Sequence, residues 1–167
     1  MRACRLAAQA LLAGLLCVLT VACATPVFRN VADVMRIAPL DVQQDPDRYT
    51  GATVLWGGRI VAFDNHIDRS EVEILAFPLD RDRQPLTDAP GEGRFVLVLP
   101  GYVDASDYAV GRHLSMRGTL AGTRSGHVQD QPYLHPVVRA EHVHVWPWGF
   151  MLDRTPRISI GVGVGIR

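Results

Sequence analysis

Hydrophobic and polar positions divide this chain into three unlike stretches. From Leu6 to Val21 the residues are apolar, interrupted only by Gln9, Gly14 and Thr20. From Leu40 to about Phe150, apolar residues come in short alternating or continuous runs parted by Gly, Pro and Asp, which is the pattern of strands. From Ile158 to Ile166 they alternate strictly with Ser or Gly. The middle stretch predicts five strands, over residues 54–63, 71–79, 94–99, 113–120 and 137–145. The run 94–99 is almost wholly apolar, as in a strand buried on both faces. Ahead of the first strand, Asp41 is expected to cap one or two helical turns and Gly51 to stop them. Residues 80–93, with Pro85, Pro90, Gly91 and Gly93, read as a loop, and Ser125-Gly126-His127 as a turn.

An internal echo sharpens the fold. Gly51, Val54, Trp56, Gly58 and Ile60 correspond in spacing to Gly111, Leu114, Met116, Gly118 and Leu120. Each copy is a turn glycine, then alternating core residues, then a glycine where a curved strand bends; Gly57-Gly58 suggests a bulge or bend. Two copies are too few for a solenoid. They suit a small closed barrel, in which glycine relieves crowding at corners. The expected fold is mainly β, an OB-like barrel of five or six strands with one short helix.

The N-terminal stretch changes the picture. A basic stub (Met1 to Arg5), an apolar run of about 16 residues and a small residue before a cut make the layout of a secretory signal. The run is shorter than the ~20 residues a membrane-spanning helix needs. Thr20-Val21-Ala22-Cys23 looks like a lipobox, although Thr20 stands where Leu is usual. Cleavage between Ala22 and Cys23, with diacylglycerol and an N-acyl chain on Cys23, is therefore expected. Residues 1–22 would be the signal and 23–39 a tether spanning roughly 50 Å if extended. Residues 40–150 would form the β domain and 151–167 a C-terminal strand or tail. All three cysteines (Cys4, Cys17, Cys23) lie in this N-terminal part, so the exported domain has no disulfide. Every basic side chain is Arg. Removing Arg2 and Arg5 leaves fifteen against seventeen acids, a balance that offers neither a nucleic-acid footprint nor a polybasic membrane patch.

Candidate chemistry is sparse. Trp56, Trp146 and Trp148 could form an aromatic platform for cell-wall glycan or a protein partner, although large aromatics are first of all core material; Trp146-Pro147-Trp148-Gly149 also suits a membrane interface. His142 and His144 fall on one face of a strand and are weak metal candidates with His135. Alternation puts Glu141 on the opposite face, and Val143 and Val145 toward the core. A metal site needs three or four converging ligands, so no metal is expected. The run Gly161 to Gly165 is followed by no helix, which excludes a nucleotide loop; residues 158–166 read as a strand packed on the barrel or as an edge for self-association. No nucleophile elbow and no acid–base set with mutual geometry is visible, so the chain reads as a non-enzyme.

Several segments together resemble a known family. They are Val54-Leu55-Trp56-Gly57-Gly58-Arg59-Ile60, Glu71-Val72-Glu73-Ile74 with Phe77-Pro78-Leu79-Asp80, and Gly93-Arg94-Phe95. Gly101-Tyr102-Val103-Asp104, Asp107-Tyr108, Gly111-Arg112, Arg117-Gly118-Thr119-Leu120 and His144-Val145-Trp146-Pro147 follow. From about Cys23 to Trp148 the chain resembles the Slp family of starvation-inducible outer-membrane lipoproteins of Gram-negative bacteria, departing at Asp104-Ala105, where Asp-Pro is more usual. The resemblance implies a lipid-anchored outer-membrane protein, palmitate on its cysteine, expressed under stress, with no catalytic residues to carry over. Ala24 agrees with outer-membrane sorting. The expected role is non-catalytic and envelope-associated; the alternative is a periplasmic ligand-binding module using exposed aromatics.

Overall fold

The computed structural model describes residues 27–28 and 31–150. The expected signal segment, Ala22, Cys23 and the tail 151–167 lie outside the described residues. Two short helices, α1 (Pro39–Gln44) and α2 (Pro46–Tyr49), lead into five strands: β1 (Thr53–Asn65), β2 (Arg69–Ala76), β3 (Arg94–Pro100), β4 (His113–Val128) and β5 (Gln131–Val145). Proline at the first position starts each helix, where its missing N–H costs nothing. The cap of α1 is Ala38, not Asp41: Asp41 lies inside the first turn and accepts the Ala38 N–H at 2.8 Å. Gly51 follows α2 and donates its N–H to Leu120 O.

The strands close into a ring in the order β1-β2-β3-β5-β4. All pairs are antiparallel except β3 with β5. A closed five-stranded ring with one parallel seam gives the Greek-key connectivity expected of an OB-like barrel. The core is the inward row of each strand, with Val54, Trp56, Ile60, Val72, Ile74, Phe95, Leu97, Leu114, Met116, Leu120 and Val138 all buried. Val42 of α1 joins this cluster from below.

The echo turns out to be a contact. Thr53 pairs with Thr119 and Arg59 with His113, about a central Trp56–Met116 pair. The two copies are therefore antiparallel neighbours related by a local two-fold. Their ends are tied reciprocally: Gly51 N–H to Leu120 O at 2.8 Å, and Gly111 N–H to Ile60 O at 2.9 Å. The second glycine of each copy marks a close approach. A Cβ on Gly58 would lie 2.0 Å from Leu75 O, and one on Gly118 2.3 Å from Arg139 O. Both obstacles are backbone, so no side chain can turn aside to make room.

Two expectations need correction. β4 and β5 run well past residues 120 and 137, and Ser125-Gly126-His127 belongs to a strand, paired with Leu134, Tyr133 and Pro132. The Gly and Pro residues of this hairpin interrupt the alternation that marks a strand, yet the ladder continues to a turn at Gln129-Asp130. The other correction concerns residues 23–39, which read as a tether. Their described part is docked on the barrel: Phe28 is buried and meets the His142 ring edge-on at 5.1 Å. Asp33 pairs with Arg117 at 2.5 Å, Met35 N–H donates to Thr53 O, and Ile37 O accepts the Trp56 indole N–H at 2.7 Å.

Gly58→Ala and Gly118→Ala should each destabilise the domain by about 2–3 kcal/mol, the scale of overpacking. Gly91→Ala, where the nearest atom is the flexible Leu75 Cδ1 at 3.3 Å, should cost far less. Urea titration of the three variants checks this, and equal midpoints would refute the role given to Gly58 and Gly118.

Candidate functional site

The three tryptophans do not share a surface. Trp56 is 5% exposed and sits edge-on to Phe95 in the core. Trp146 is 7% exposed; its indole N–H donates to Ser115 Oγ at 2.9 Å, and that hydroxyl donates to Arg83 O at 2.5 Å. Loop 77–93 thus packs on the barrel wall through one buried hydroxyl, which satisfies two polar groups that burial would otherwise strand. Trp148 is 67% exposed, with the Arg112 guanidinium 6.0 Å above its ring. A platform built from all three is corrected on this ground: Trp56 and Trp146 are buried at separate places and only Trp148 is open to solvent.

His142 and His144 do lie on one face of β5, opposite Arg117 and Ser115. Their rings are taken by neighbours, His142 by Phe28 and His144 by Trp146 at 4.3 Å. The ladder shifts register here, Gly118 pairing with Ala140 and Arg117 with His142, so Glu141 is the bulged residue. The bulge turns Glu141 to the side of Arg117, contrary to simple alternation. Its carboxylate is ion-paired with Arg117 and accepts the Thr119 hydroxyl at 2.6 Å. Among the described residues no three His, Cys, Asp or Glu side chains are grouped to hold a metal.

An ionic cluster on the outer wall was not legible as a unit. Glu71 and Glu73, alternate residues of β2, point away from the core. Glu71 accepts Arg69 Nε at 2.9 Å and Arg124 Nη1 at 2.5 Å, with His66 Nε2 at 3.6 Å. Glu73 accepts Arg94 Nη1 at 2.7 Å, and His135 Nε2 stands 3.6 Å from it, too far for a hydrogen bond. Arg124 and His135 come from the extended β4–β5 hairpin, which is why the sequence shows only acids scattered beside arginines. Burial pushes the Glu71 carboxyl up, but the Arg124 and Arg69 hydrogen bonds outweigh it and hold the group below its ordinary range. Burial lowers His135, against the opposing pull of Glu73. A cleft of ≈ 470 Å³ lies elsewhere, between the docked lead-in and loop 77–93, lined by Met35, Ile37, Trp56, Phe77, Arg83 and Glu92 among others. Burial, with Asp41 nearby, raises the Glu92 carboxyl.

With this geometry in view, comparison with known proteins is decisive on family. The model of the outer membrane lipoprotein Slp family matches residues 20–160. The chain belongs to the Slp family. Curated relatives agree: the Escherichia coli K12 outer membrane protein Slp is 27% identical over 105 residues, 63% of this chain and 55% of that protein. The uncharacterized lipoprotein YeaY of the same organism is 26% identical over 145 residues, 83% and 72% of the two chains. An uncharacterized Haemophilus influenzae protein is 30% identical over 95 residues, 56% of this chain and 51% of its own. The chain thus spans between about half and three quarters of the length of these relatives. This Slp-family chain is an outer-membrane lipoprotein.

Burial lowers His113, His135 and His144 together, with Arg59 and His142 adding to the effect at His113 and His144. Below their ordinary value of 6.5 the unfolded chain takes up protons that the folded chain refuses. Stability should therefore fall as pH drops from about 7.5 to about 5.5, and His135→Gln should flatten that fall. Melting temperatures at the two pH values check both, and a flat profile in the parent protein would contradict the burial of these rings.

Proposed function

We propose that this protein is a non-catalytic envelope lipoprotein, held by diacylglycerol and an N-acyl chain on Cys23 after cleavage between Ala22 and Cys23. Two or more acyl chains give stable attachment, whereas one gives only marginal binding. The observation that carries the non-catalytic reading is how the polar groups are spent. Glu71, Glu73 and Glu141 are committed to arginine partners, and the buried Ser115 hydroxyl to a carbonyl. What is spent on pairing is not poised to attack or to shuttle protons. The exposed surface, not turnover, is then the working part. A stress or starvation role rests on the family resemblance and is part of the proposal.

The test is the intact mass of the membrane-extracted protein beside Cys23→Ala. The expected mass is that of residues 23–167 plus acyl chains, with the variant lost from the outer-membrane fraction. An unmodified mature chain in the soluble fraction would sink the proposal. Protein abundance should also rise on entry into stationary phase, and a constant level through growth would remove the stress role.

A further inference from the structure

β1, β3 and β5 run toward one end of the barrel, and β2 and β4 run away from it. The β1–β2 turn, the β3–β4 connection (residues 101–112) and the chain after Val145 therefore emerge together. This end carries the four most exposed large apolar side chains of the described residues. Ile67 is fully exposed at the β1–β2 turn, Tyr102 is 74% exposed after β3, Val110 62% before β4, and Trp148 follows β5. Ile67 and Tyr102 line one shallow surface with Asn65, His66 and Asp68. Met35 and Leu40, the other exposed large hydrophobics, precede β1 near the opposite end and are much less exposed. Four such residues on the loops of one end are more than scatter, and point to an interaction surface.

The length of the chain says what meets it. Phe28, which is fixed against His142, follows Cys23 by five residue steps. Fully extended they span at most about 17 Å. His142 lies three residues before the end of β5, or about 10 Å along the strand. An acylated Cys23 thus cannot hold the domain far from the bilayer, and it can reach the plane of this end. We infer that the barrel end bearing Ile67, Tyr102, Val110 and Trp148 lies against the phospholipid surface of the membrane that holds Cys23. The Arg112–Trp148 stack suits that setting, since indole favours the interface and guanidinium binds phosphate. Asp64, Asp68, Asp104 and Asp107 sit at the same end with Arg59, Arg69 and Arg112, so no positive excess draws it to anionic lipid. The contact rests on apolar side chains and on the anchor.

This inference depends on acylation of Cys23, so its test reads both. The mature chain has no cysteine besides Cys23, so a nitroxide can be placed at Ile67→Cys or, on the loop between β2 and β3, at exposed Asp82→Cys. Each acylated protein is reconstituted into vesicles of phosphatidylethanolamine and phosphatidylglycerol, and its intact mass is measured. The expected result is a severalfold drop in nickel-chelate collisions with a rise in oxygen collisions at position 67, and no change at position 82. Equal nickel access at both positions in a protein shown to be acylated would overturn the membrane contact while leaving the anchor standing. Shielding of position 67 from both reagents would overturn it in favour of a protein partner. A mass without acyl chains would remove the anchor, and this inference with it.

Discussion

The structure depends on how closely backbone meets backbone at Gly58 and Gly118. A ring of only five strands must bend each one sharply, and at these two points a neighbouring carbonyl occupies the space that a side chain would need. Local two-fold pairing of the segments that carry them places one close contact on the β2 side of β1 and the other on the β5 side of β4. Hydrophobic burial drives the collapse, but any apolar set of similar volume would supply it. Geometry at the bends decides that the collapse ends in a closed barrel.

From that closure follows the division of the surface. The inner rows are consumed by the core, and loop 77–93 covers part of the outer wall through Ser115. The lead-in covers another part through Phe28, Asp33 and Met35. On the remaining wall, Glu71 is bridged to the long hairpin by Arg124, and Glu73 is approached by His135 of the same hairpin. Glu71 and His135 are buried while Arg124 is half-exposed, so water screens the Arg124 pair mainly from the arginine side. The effect of these contacts is to fix the direction of a hairpin that would otherwise project freely.

Much of the fold was legible in the sequence, because strand alternation and the repeated glycine spacing are local signals. All five strands overlap the expected runs, although residues 77–79 belong to the loop after β2. The echo marked an irregularity at Gly118, whereas that of β1 lies between Ile60 and Ala62 rather than at Gly57-Gly58. What alternation misses is whatever disturbs it. The register shift at Glu141 reverses the side on which that residue stands, and Pro132, Pro136, Gly122 and Gly126 conceal half of the β4–β5 hairpin. The candidate site was less legible. Burial of Trp56 and Trp146 depends on Ile37 and Ser115, remote in sequence and ordinary in type. The ionic cluster joins residues 53 positions apart at Arg124–Glu71 and further apart still at His135–Glu73, which no spacing rule connects. The docked lead-in has no period of its own, since its contacts are single points on a surface made by other strands.

The parallel seam gives the ring an uneven character. β3 and β5 share three residue pairs, Val96–Val137, Leu97–Val138 and Val98–Arg139, whereas each antiparallel seam has seven or more. A closed ring has no edges, but one with a single short join has a preferred place to part. Parting there would turn the barrel into an open five-stranded sheet with β3 and β5 as free edges, its other four joins unbroken. The same fold that hides every strand edge therefore holds two in reserve, on opposite sides of its weakest join.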